Sequence, residues 1–379
     1  MPWKVTTNMS VKHDFVVEAV KDATNMSALC RAYGISRKTG YKWVARYQAE
    51  GEAGLAERSR RPHRSPGQTR AELEAAIVAA RQAHPAWGGR KLKAWLESQG
   101  QREVPMPSTI TALLRRQGLL DREEGPKHTP YQRFERASPN ELWQMDFKGH
   151  FGLGNGQRCH ALTVLDDHSR FLVGLRACPD ETQVTVQTHL TDLFRQCGLP
   201  AWMLMDNGAP WGDDAETRQT RLTVWLLRLG IGVSHGRPYH PQTQGKDERL
   251  HRTLHAEVLR WVSPYDLLDC QACFDPWRTL YNTQRPHEAL GLQPPSARYL
   301  PSPRPFPETL PPLSYPPDDC LRKVDHYGKI SFRNRPWRVG RAFGGQQVAL
   351  RPDALQDGLF HVFFGDFEIH SLNLKDSLC

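Results

Sequence analysis

Three carboxylates stand at positions where their chemistry needs an explanation. Asp146 lies inside the apolar segment LWQMDF, Asp206 follows WMLM, and Glu248 lies near the start of GKDERLHRTLHAEVLRWV. An acid within an apolar strand is costly unless something compensates its charge. Oxygen ligands without Cys or His suit Mg²⁺ or Mn²⁺, and three carboxylates can hold two such ions while leaving positions for phosphate oxygens. Two ions about 4 Å apart support an in-line phosphoryl displacement that needs no covalent enzyme intermediate.

Each of these carboxylates also has a structural interpretation. Asp206-Asn207-Gly208 favours a tight turn, and an acid such as Glu248 is favourable in the first turn of any helix. Other acids compete for the same role: Asp166, Asp167, Asp213, Asp214 and Asp247. The pattern alone leaves the acidic triad as one hypothesis among several.

A cysteine pair offers a second candidate metal site, which we reject. Cys270 and Cys273 have CxxC spacing, but a zinc site usually needs four ligands. The nearby His251 and His255 fall on the preceding predicted helix, whereas both cysteines fall in a segment that reads as another helix. We expect free, buried cysteines.

The elements around the triad alternate from residue 142 onward. LWQMDF, CHALTVLDD and RFLVGLRAC predict three strands in close succession. A helix over 182–198, a strand over 201–208, a helix over 220–230, a strand over 231–237 and a long helix over 245–262 follow. This is a mixed α/β order like that of the ribonuclease H fold.

The N-terminal region predicts a helix-turn-helix. In NMSALCRAYGISRKTGYKWVARYQ, Gly34 ends one helix, Ser36 can cap the next, and Tyr41, Val44 and Tyr47 follow at helical spacing. The second helix carries basic side chains that suit phosphates and base edges in a major groove: Arg37, Lys38, Lys42 and Arg46. An ordinary helical hairpin with a solvated basic face is the alternative.

A basic linker and a second helical module follow. The segment SRRPHRSPGQ favours an extended strand, and we expect DNA contacts at or next to it from Arg58, Arg60, Arg61 and Arg64. Apolar residues at helical spacing predict helices between 71 and 120, where Arg115 and Arg116 are candidate DNA contacts. Two basic modules indicate a bipartite grip on a long DNA site, with a three-helix bundle of charged exterior as the alternative.

Charge is distributed unevenly along the 379 residues. Residues 1–140 contain 24 Lys and Arg against 14 Asp and Glu, which leaves 26 of the 50 basic and 27 of the 41 acidic residues for the remainder. A basic N-terminal third is expected of a region that faces a polyanion, although basic surfaces also aid solubility. Without a membrane-length apolar run or a signal-peptide core, and with scattered cysteines, we expect a cytoplasmic protein that has no membrane partner.

The C-terminal part begins with a proline-rich segment. Ten of the 24 residues from 294 to 317 are proline, which predicts a semi-rigid extended tether. KISFRNRPWRVG, QQVALRP and LFHVFFGDFEIHSL then alternate with period two and predict a small antiparallel β barrel. We therefore expect a multidomain chain: a helix-turn-helix DNA-binding domain (1–58), a basic linker (59–68), a second helix-turn-helix-like DNA-binding domain (69–125), an α/β ribonuclease H-like catalytic core (138–293), the proline-rich linker (294–317) and a small β-barrel domain (318–379).

Six motifs carry a resemblance to a known family. In chain order they are LWQMDFKGHF, LTVLDDHSRF, LMDNGAPW, TRLTVWLLRLGI, GRPYHPQTQGKDERLHRTL and YNTQRPHEALGLQPPSARY. Over nearly its whole length the chain resembles insertion-sequence transposases of the DDE retroviral-integrase superfamily, particularly the insertion-sequence 481 family. The resemblance implies a ribonuclease H-like integrase core whose catalytic, metal-binding triad falls on Asp146, Asp206 and Glu248. It implies Mg²⁺ or Mn²⁺ as cofactor, with two ions in the site.

The same resemblance implies a function. Lys246 and Arg249 flank Glu248 where a transposon end would lie, and Lys246 is either a phosphate contact or a solvated lysine. We expect a transposase that binds double-stranded DNA at terminal inverted repeats, hydrolyses a phosphodiester at the element end and joins the freed 3′-hydroxyl to target DNA. Two ends must be brought together, which implies a dimer or a larger synaptic assembly in a prokaryotic, nucleoid-associated setting. A catalytically inactive DNA-binding regulator of the same fold and a stand-alone nuclease are the alternatives.

Overall fold

The computed structural model describes residues 8–59, 68–120, 135–208, 210–212, 219–235 and 245–375. The chain divides into two compact units, residues 1–68 and residues 69–379. Among the described helices, none combines the length and the apolar character that crossing a bilayer requires.

The first unit contains three helices: α1 (Asn8–Ala19), α2 (Met26–Ala32) and α3 (Arg37–Glu50), followed by a 3-10 turn over Gly51–Leu55. The hydroxyl of Ser36 caps α3, because it accepts a hydrogen bond from the Thr39 amide at 3.2 Å. The aromatic side chain of α3 that enters the core is Trp43, whereas Tyr41 is 58% exposed. Gly40 lies three residues before Trp43 on the packed side, where a Cβ would lie 2.6 Å from Cys30 Sγ.

Three further helices open the second unit: α4 (Ala71–Ala83), α5 (Gly89–Ser98) and α6 (Pro107–Arg116). Their stripes of apolar side chains close a core around Ile77, Leu92 and Ile110. Leu280, from a helix far along the chain, packs against this core. The second helical module is therefore docked on the remainder of its unit.

A five-stranded mixed sheet forms the centre of the second unit. Its strands are β1 (Leu142–Gly152), β2 (Arg158–Asp166), β3 (Leu172–Cys178), β4 (Trp202–Met205) and β5 (Gly232–His235), in the spatial order β3-β2-β1-β4-β5. β1 pairs with β2, and β2 with β3, in antiparallel fashion. β1 pairs with β4, and β4 with β5, in parallel fashion. The predicted ribonuclease H-like strand and helix order is confirmed.

Helices cover both faces of this sheet. α7 (Gln183–Cys197) and α8 (Arg221–Arg228) pack on one face, with Leu190, Phe194 and Leu226 among the buried side chains. α9 (Gly245–Leu254), a π-helical segment (His255–Leu259) and α10 (Leu267–Thr283) pack on the other. Cys270 of α10 is buried against Cys159 of β2, with 3.7 Å between the sulfur atoms.

The proline-rich segment is extended, as predicted, but it is fastened to the core. The Tyr299 ring stacks on Phe171 with 3.9 Å between ring centroids. The backbone carbonyl of Arg304 accepts a hydrogen bond from the Leu199 amide at 2.8 Å. The guanidinium of Arg304 donates to backbone carbonyls, including that of Pro200. The segment therefore acts as a strap along the core and differs from a free tether.

The C-terminal part contains β6 (Cys320–Lys323), β7 (Lys329–Phe332), β8 (Arg335–Arg338), β9 (Gln347–Pro352), β10 (Leu359–Phe364) and β11 (Phe367–Asn373). Four of them form an antiparallel sheet in the order β11-β10-β9-β6, while β7 and β8 form a separate hairpin. The predicted barrel is not confirmed, because the described strands pair as an open sheet plus a hairpin. Val224 and Leu227 of α8 join the core of this C-terminal part.

Candidate active site

Asp146 lies in the central strand of the mixed sheet. On β1 it faces Thr163 of the antiparallel neighbour β2, and its side chain is 24% exposed. Burial raises the pKa of Asp146 to about 6, and the negative charges of Asp206, Glu181 and Glu248 add to the rise. The protein alone therefore compensates the negative charge of ionised Asp146 only incompletely.

Asp206 directly follows β4, the parallel neighbour of β1. The register pairs Gln144 of β1 with Leu204 of β4, and Asp146 and Asp206 each come two residues after that pair. Asp206 is exposed just after the last residue of β4. One of its carboxylate oxygens accepts from the Asn207 amide at 2.6 Å.

Glu248 lies in the first turn of α9, which packs on the same sheet. α9 buries Asp247, Leu250 and Leu254, and Glu248 is exposed off that face. The effect of its charge on the pKa of Asp146 shows that the helix brings Glu248 within electrostatic reach of the strand carboxylate. Asp206 and Glu248 thus both approach Asp146, although within the described residues no three acids or histidines are arranged as a preformed metal cage.

His251 is a member of this site that the sequence analysis missed. Its Nδ1 lies 4.0 Å from the Asp146 carboxylate, and its Nε2 is 2.9 Å from the Thr163 hydroxyl. Burial lowers the pKa of His251 to about 4, and the Lys148 charge contributes. The available signal was its spacing, because His251 follows Glu248 by three positions on one helix.

The competing carboxylates of β2 have structural partners. Asp166 accepts from the backbone amides of Asn140 and Ser169 at 2.7 and 2.8 Å. Asp167 is fully buried and accepts from Gln144 Nε2 at 2.6 Å. Asp213 and Asp214 lie outside the described residues.

Asp247 differs from the other competing acids. It is completely buried, and neither carboxylate oxygen has a hydrogen-bond partner among the described residues. Burial raises its pKa well above the ordinary value, and the Asp146 charge raises it further. A buried acid without partners is held neutral, so Asp247 is a costly feature next to Glu248.

The two basic residues beside Glu248 have different environments. Lys246 forms an ion pair with Asp167, and its side chain is only 17% exposed. Arg249 is 58% exposed and lies 3.5 Å from the Glu288 carboxylate. Arg249 is therefore accessible to a ligand, whereas the Lys246 ammonium is engaged with the protein.

Most of the remaining predicted DNA contacts that the structure describes lie on helix surfaces, and Arg58 lies in an irregular segment. Arg37, Lys38 and Lys42 are exposed on α3, and Arg46 lies 5.2 Å from the centre of the Trp43 ring. Three more are exposed: Arg58, which pairs with Glu50, and Arg115 and Arg116 at the end of α6. Arg60, Arg61 and Arg64 lie outside the described residues.

A five-stranded mixed sheet with helices on both faces is the setting of these three acids. The integrase core domain models match residues 136–241 and 229–295, and homeodomain-like domain models match residues 16–56 and 39–114. The model of the IS481 family transposase C-terminal domain matches residues 319–377. The resemblance is thereby confirmed: the chain carries homeodomain-like and integrase core domains followed by the C-terminal domain of the IS481 transposase family.

Individual relatives agree with these domains. The chain is 26% identical over 288 residues to an uncharacterized 31.7 kDa protein of insertion element IS407 from Burkholderia multivorans, covering 74% of this chain and 93% of that protein. It is 31% identical over 120 residues to the Gag-Pro-Pol polyprotein of Simian retrovirus SRV-1, covering 32% of this chain and 6% of the polyprotein.

Two solved structures are similar at low identity. A chain of the simian T-cell lymphotropic virus intasome in complex with PP2A regulatory subunit B56 gamma matches with 17% identity and a TM-score of 0.38, covering 80% of this chain and 99% of its own. The HTLV-2 integrase catalytic core domain in complex with magnesium matches with 16% identity and a TM-score of 0.33, covering 43% of this chain and 97% of its own.

Proposed function

We propose that this chain is a DDE transposase that cleaves DNA at the ends of its insertion sequence and transfers the resulting 3′-hydroxyl to target DNA. The observation that carries the proposal is that Asp206 and Glu248 lie close enough to the partly buried Asp146 for their charges to raise its pKa. A protein without chemistry at this place gains nothing from crowding like charges at the end of a sheet.

The donor set fits divalent metal ions. All three carboxylates offer oxygen atoms, and positive charge beside Asp146 would offset the burial and the negative charges that raise its pKa. Asp146, Asp206 and Glu248 would hold Mg²⁺ or Mn²⁺, as two ions per site. When bound there, two such ions supply Lewis acidity for the entering and the leaving oxygen of an in-line displacement.

The protein's own contribution is position. We propose that β1 and the end of β4 position Asp146 and Asp206, and that the first turn of α9 supplies Glu248. In cleavage, a water oxygen forms a bond to phosphorus while the bond to the 3′-oxygen breaks, and the 3′-oxygen leaves with a proton. In joining, that 3′-hydroxyl oxygen attacks a target phosphate, loses its proton and releases a target 3′-hydroxyl. The low pKa of His251 keeps its ring neutral at physiological pH, so we assign it the positioning of Thr163 and Asp146.

DNA recognition belongs to the homeodomain-like regions. In the first unit α3 presents Arg37, Lys38 and Lys42 to solvent in the first two turns of a capped helix, which suits a major groove. We propose terminal inverted repeats as the specific partner. Self-association joins two such ends in a dimer or larger synaptic assembly. The basic residues of the 59–68 linker contact the DNA backbone between the sites that the two helical modules bind.

Strand cleavage and joining on a labelled duplex tests the proposal. The duplex carries the imperfect inverted repeat found in the genomic DNA beside the coding region, and reactions contain Mg²⁺ or Mn²⁺. We expect cleaved and joined products with the wild type, and their loss with Asp206→Asn and Glu248→Gln while duplex binding persists. Asp192→Asn, which removes a half-exposed acid from α7, is the matched control and should retain activity.

Three other outcomes contradict the proposal in different ways. Duplex binding without chemistry in either metal favours a catalytically inactive DNA-binding regulator. Cleavage without joined products favours a stand-alone nuclease. Activity that survives both substitutions refutes the assignment of the triad.

A further inference from the structure

A group of basic side chains joins the second helical module to the catalytic helix. We call Arg90, Lys91 and Arg249 the junction cluster. Arg90 and Lys91 lie in the first turn of α5, and Arg249 follows Glu248 on α9. Both arginines approach Glu288: Arg90 Nη1 lies 4.0 Å from one carboxylate oxygen, and Arg249 Nη2 lies 3.5 Å from the other.

The junction cluster has more positive charge than its surroundings neutralise. Arg90 and Arg249 share Glu288, and Glu257 is bound to Arg285 with 2.9 Å between Oε1 and Nε. Burial lowers the pKa of Lys91 to about 8, and the charge of Arg285 lowers it further, whereas the charges of Glu257 and Glu288 raise it. Lys91 thus adds a third cation beside two arginines that already share one carboxylate.

The neighbouring His287 lies among the same cations. Burial lowers its pKa to about 2, and nearby cations that include Arg249 and Lys91 lower it further. Its Nδ1 is buried and has no hydrogen-bond partner among the described residues. The neutral His287 ring therefore adds no charge that would offset the cations of the junction cluster.

The backbone adds to this field. Gly88 occupies the position before α5 and offers no side chain to the first amides of the helix. Gly89 packs so closely on α6 that a Cβ would lie 2.5 Å from the Pro107 carbonyl oxygen. The amide end of a ten-residue helix thus lies beside Arg90 and Lys91, and such an end favours anions.

We propose that the junction cluster binds a backbone phosphate of the DNA strand that enters the active site, and that Glu288 occupies the place of this phosphate in the free protein. The inference rests on the proposed function, since it takes DNA as the anion. Arg249 follows Glu248 in α9 and both side chains are exposed, so the junction cluster reaches the neighbourhood of Glu248, and we take the phosphate to belong to the strand that reacts there. DNA binding displaces a carboxylate that is 42% exposed and easily released.

The proposal predicts opposite effects for two kinds of substitution. Arg90→Gln and Arg249→Gln remove half-exposed cations and should weaken duplex binding by roughly threefold or more near 0.1 M salt, lowering the slope of log affinity against log salt by about 1 each. Lys91→Gln should act in the same direction. Glu288→Gln removes the competing carboxylate and should strengthen binding by a similar factor.

Matched controls lie on the same helix. Lys93 and Glu97 of α5 form an ion pair with each other, away from Glu288. Lys93→Gln and Glu97→Gln change net charge by the same amounts as Lys91→Gln and Glu288→Gln, and should leave affinity and salt slope near the wild-type values.

The experiment is fluorescence anisotropy of the full chain with the labelled inverted-repeat duplex, from 50 to 300 mM KCl, with melting temperatures recorded for every variant. Folded Arg90→Gln and Arg249→Gln proteins with wild-type affinity and slope would overturn the proposal, as would a Glu288→Gln protein that binds more weakly. If the wild type cleaves DNA but either of these contradicting results is obtained, the proposal for the junction cluster fails and the transposase proposal stands. If the expected pattern appears but no metal supports cleavage, the transposase proposal fails and the phosphate site stands. A wild type that binds no duplex overturns both.

Discussion

Glu257 connects the second helical module to the catalytic helix, and its replacement should destabilise the second unit. It lies on the π-helical segment that continues α9. Its carboxylate accepts from the indole nitrogens of Trp87 and Trp277 at 3.2 and 3.0 Å, and from Arg285 Nε at 2.9 Å. The side chains of Glu257 and Arg285 are 8% and 7% exposed, so this ion pair is largely removed from water.

The expected magnitude follows from what Glu257→Leu leaves behind. A buried guanidinium loses its counter-charge, which costs about 3 to 5 kcal/mol of unfolding free energy. Two indole donors also lose their acceptor, which adds about 1 kcal/mol each at most. At roughly 2 °C per kcal/mol for a unit of this size, a total of about 3 to 7 kcal/mol should lower the melting temperature by about 6 to 14 °C.

A series of variants separates charge from packing. Trp87→Phe removes one donor and should cost only about 1 kcal/mol. Glu257→Leu with Arg285→Met removes both charges and should recover most of the stability, since a buried pair is often replaceable by apolar residues. Glu308→Leu, which breaks an exposed ion pair with Arg195, is the control and should shift the melting temperature by about 1 °C or less.

Thermal unfolding of the full chain, followed by circular dichroism and tryptophan fluorescence, measures these shifts. If Glu257→Leu melts with the wild type, the ion pair does not hold the module. If the double variant is no more stable than Glu257→Leu, the loss comes from packing and the electrostatic argument is wrong.

Three further predictions concern single side chains. Asp146→Asn should abolish strand cleavage yet raise stability at pH 8 by about 2 kcal/mol or less, because the acid is ionised above its pKa of about 6 and destabilises the fold there. Added Mg²⁺ should raise the melting temperature of the wild type and leave that of the variant unchanged. Asp167→Ala should lower the free energy of unfolding by about 3 kcal/mol or more in urea, because it leaves a largely buried lysine without its counter-charge. His361 lies 2.9 Å from Asp353 and 2.7 Å from Glu368, and these hydrogen bonds raise its pKa, so its stabilisation is full below about pH 6.5 and is lost as pH rises through the raised value. His361→Gln should remove this fall in melting temperature between pH 6 and 8.

The central sheet could be predicted from sequence because its elements leave local signals, whereas the acidic triad stays a prediction that depends on the family resemblance. Apolar runs of strand length and helical stripes give the order of the elements, and an acid within LWQMDF is conspicuous because it breaks such a run. Ser36 was predictable as a cap for the same reason, since capping depends on residues within one turn.

Features that depend on distant partners left no such signal. Nothing near Lys246 in sequence shows that Asp167, 79 residues earlier, takes its ammonium group. Period-two alternation predicted the C-terminal strands but not their pairing, which forms an open sheet and a hairpin. The proline content of 294–317 predicted an extended chain, whereas its attachment depends on Tyr299 meeting Phe171.

The contacts of α9 explain how the exposed Glu248 can be held in place. At the start of the helix Lys246 is bound to the buried Asp167, and beyond its end Glu257 is bound to Arg285 and two indoles. Between these contacts the buried Asp247 has no hydrogen-bond partner among the described residues, which weakens the packing of the helix on the sheet. The contacts at both ends offset this cost and leave Glu248 and Arg249 exposed on the outer face. If the proposed function holds, a helix fixed in this way presents those side chains to DNA without requiring the nucleic acid to order them first.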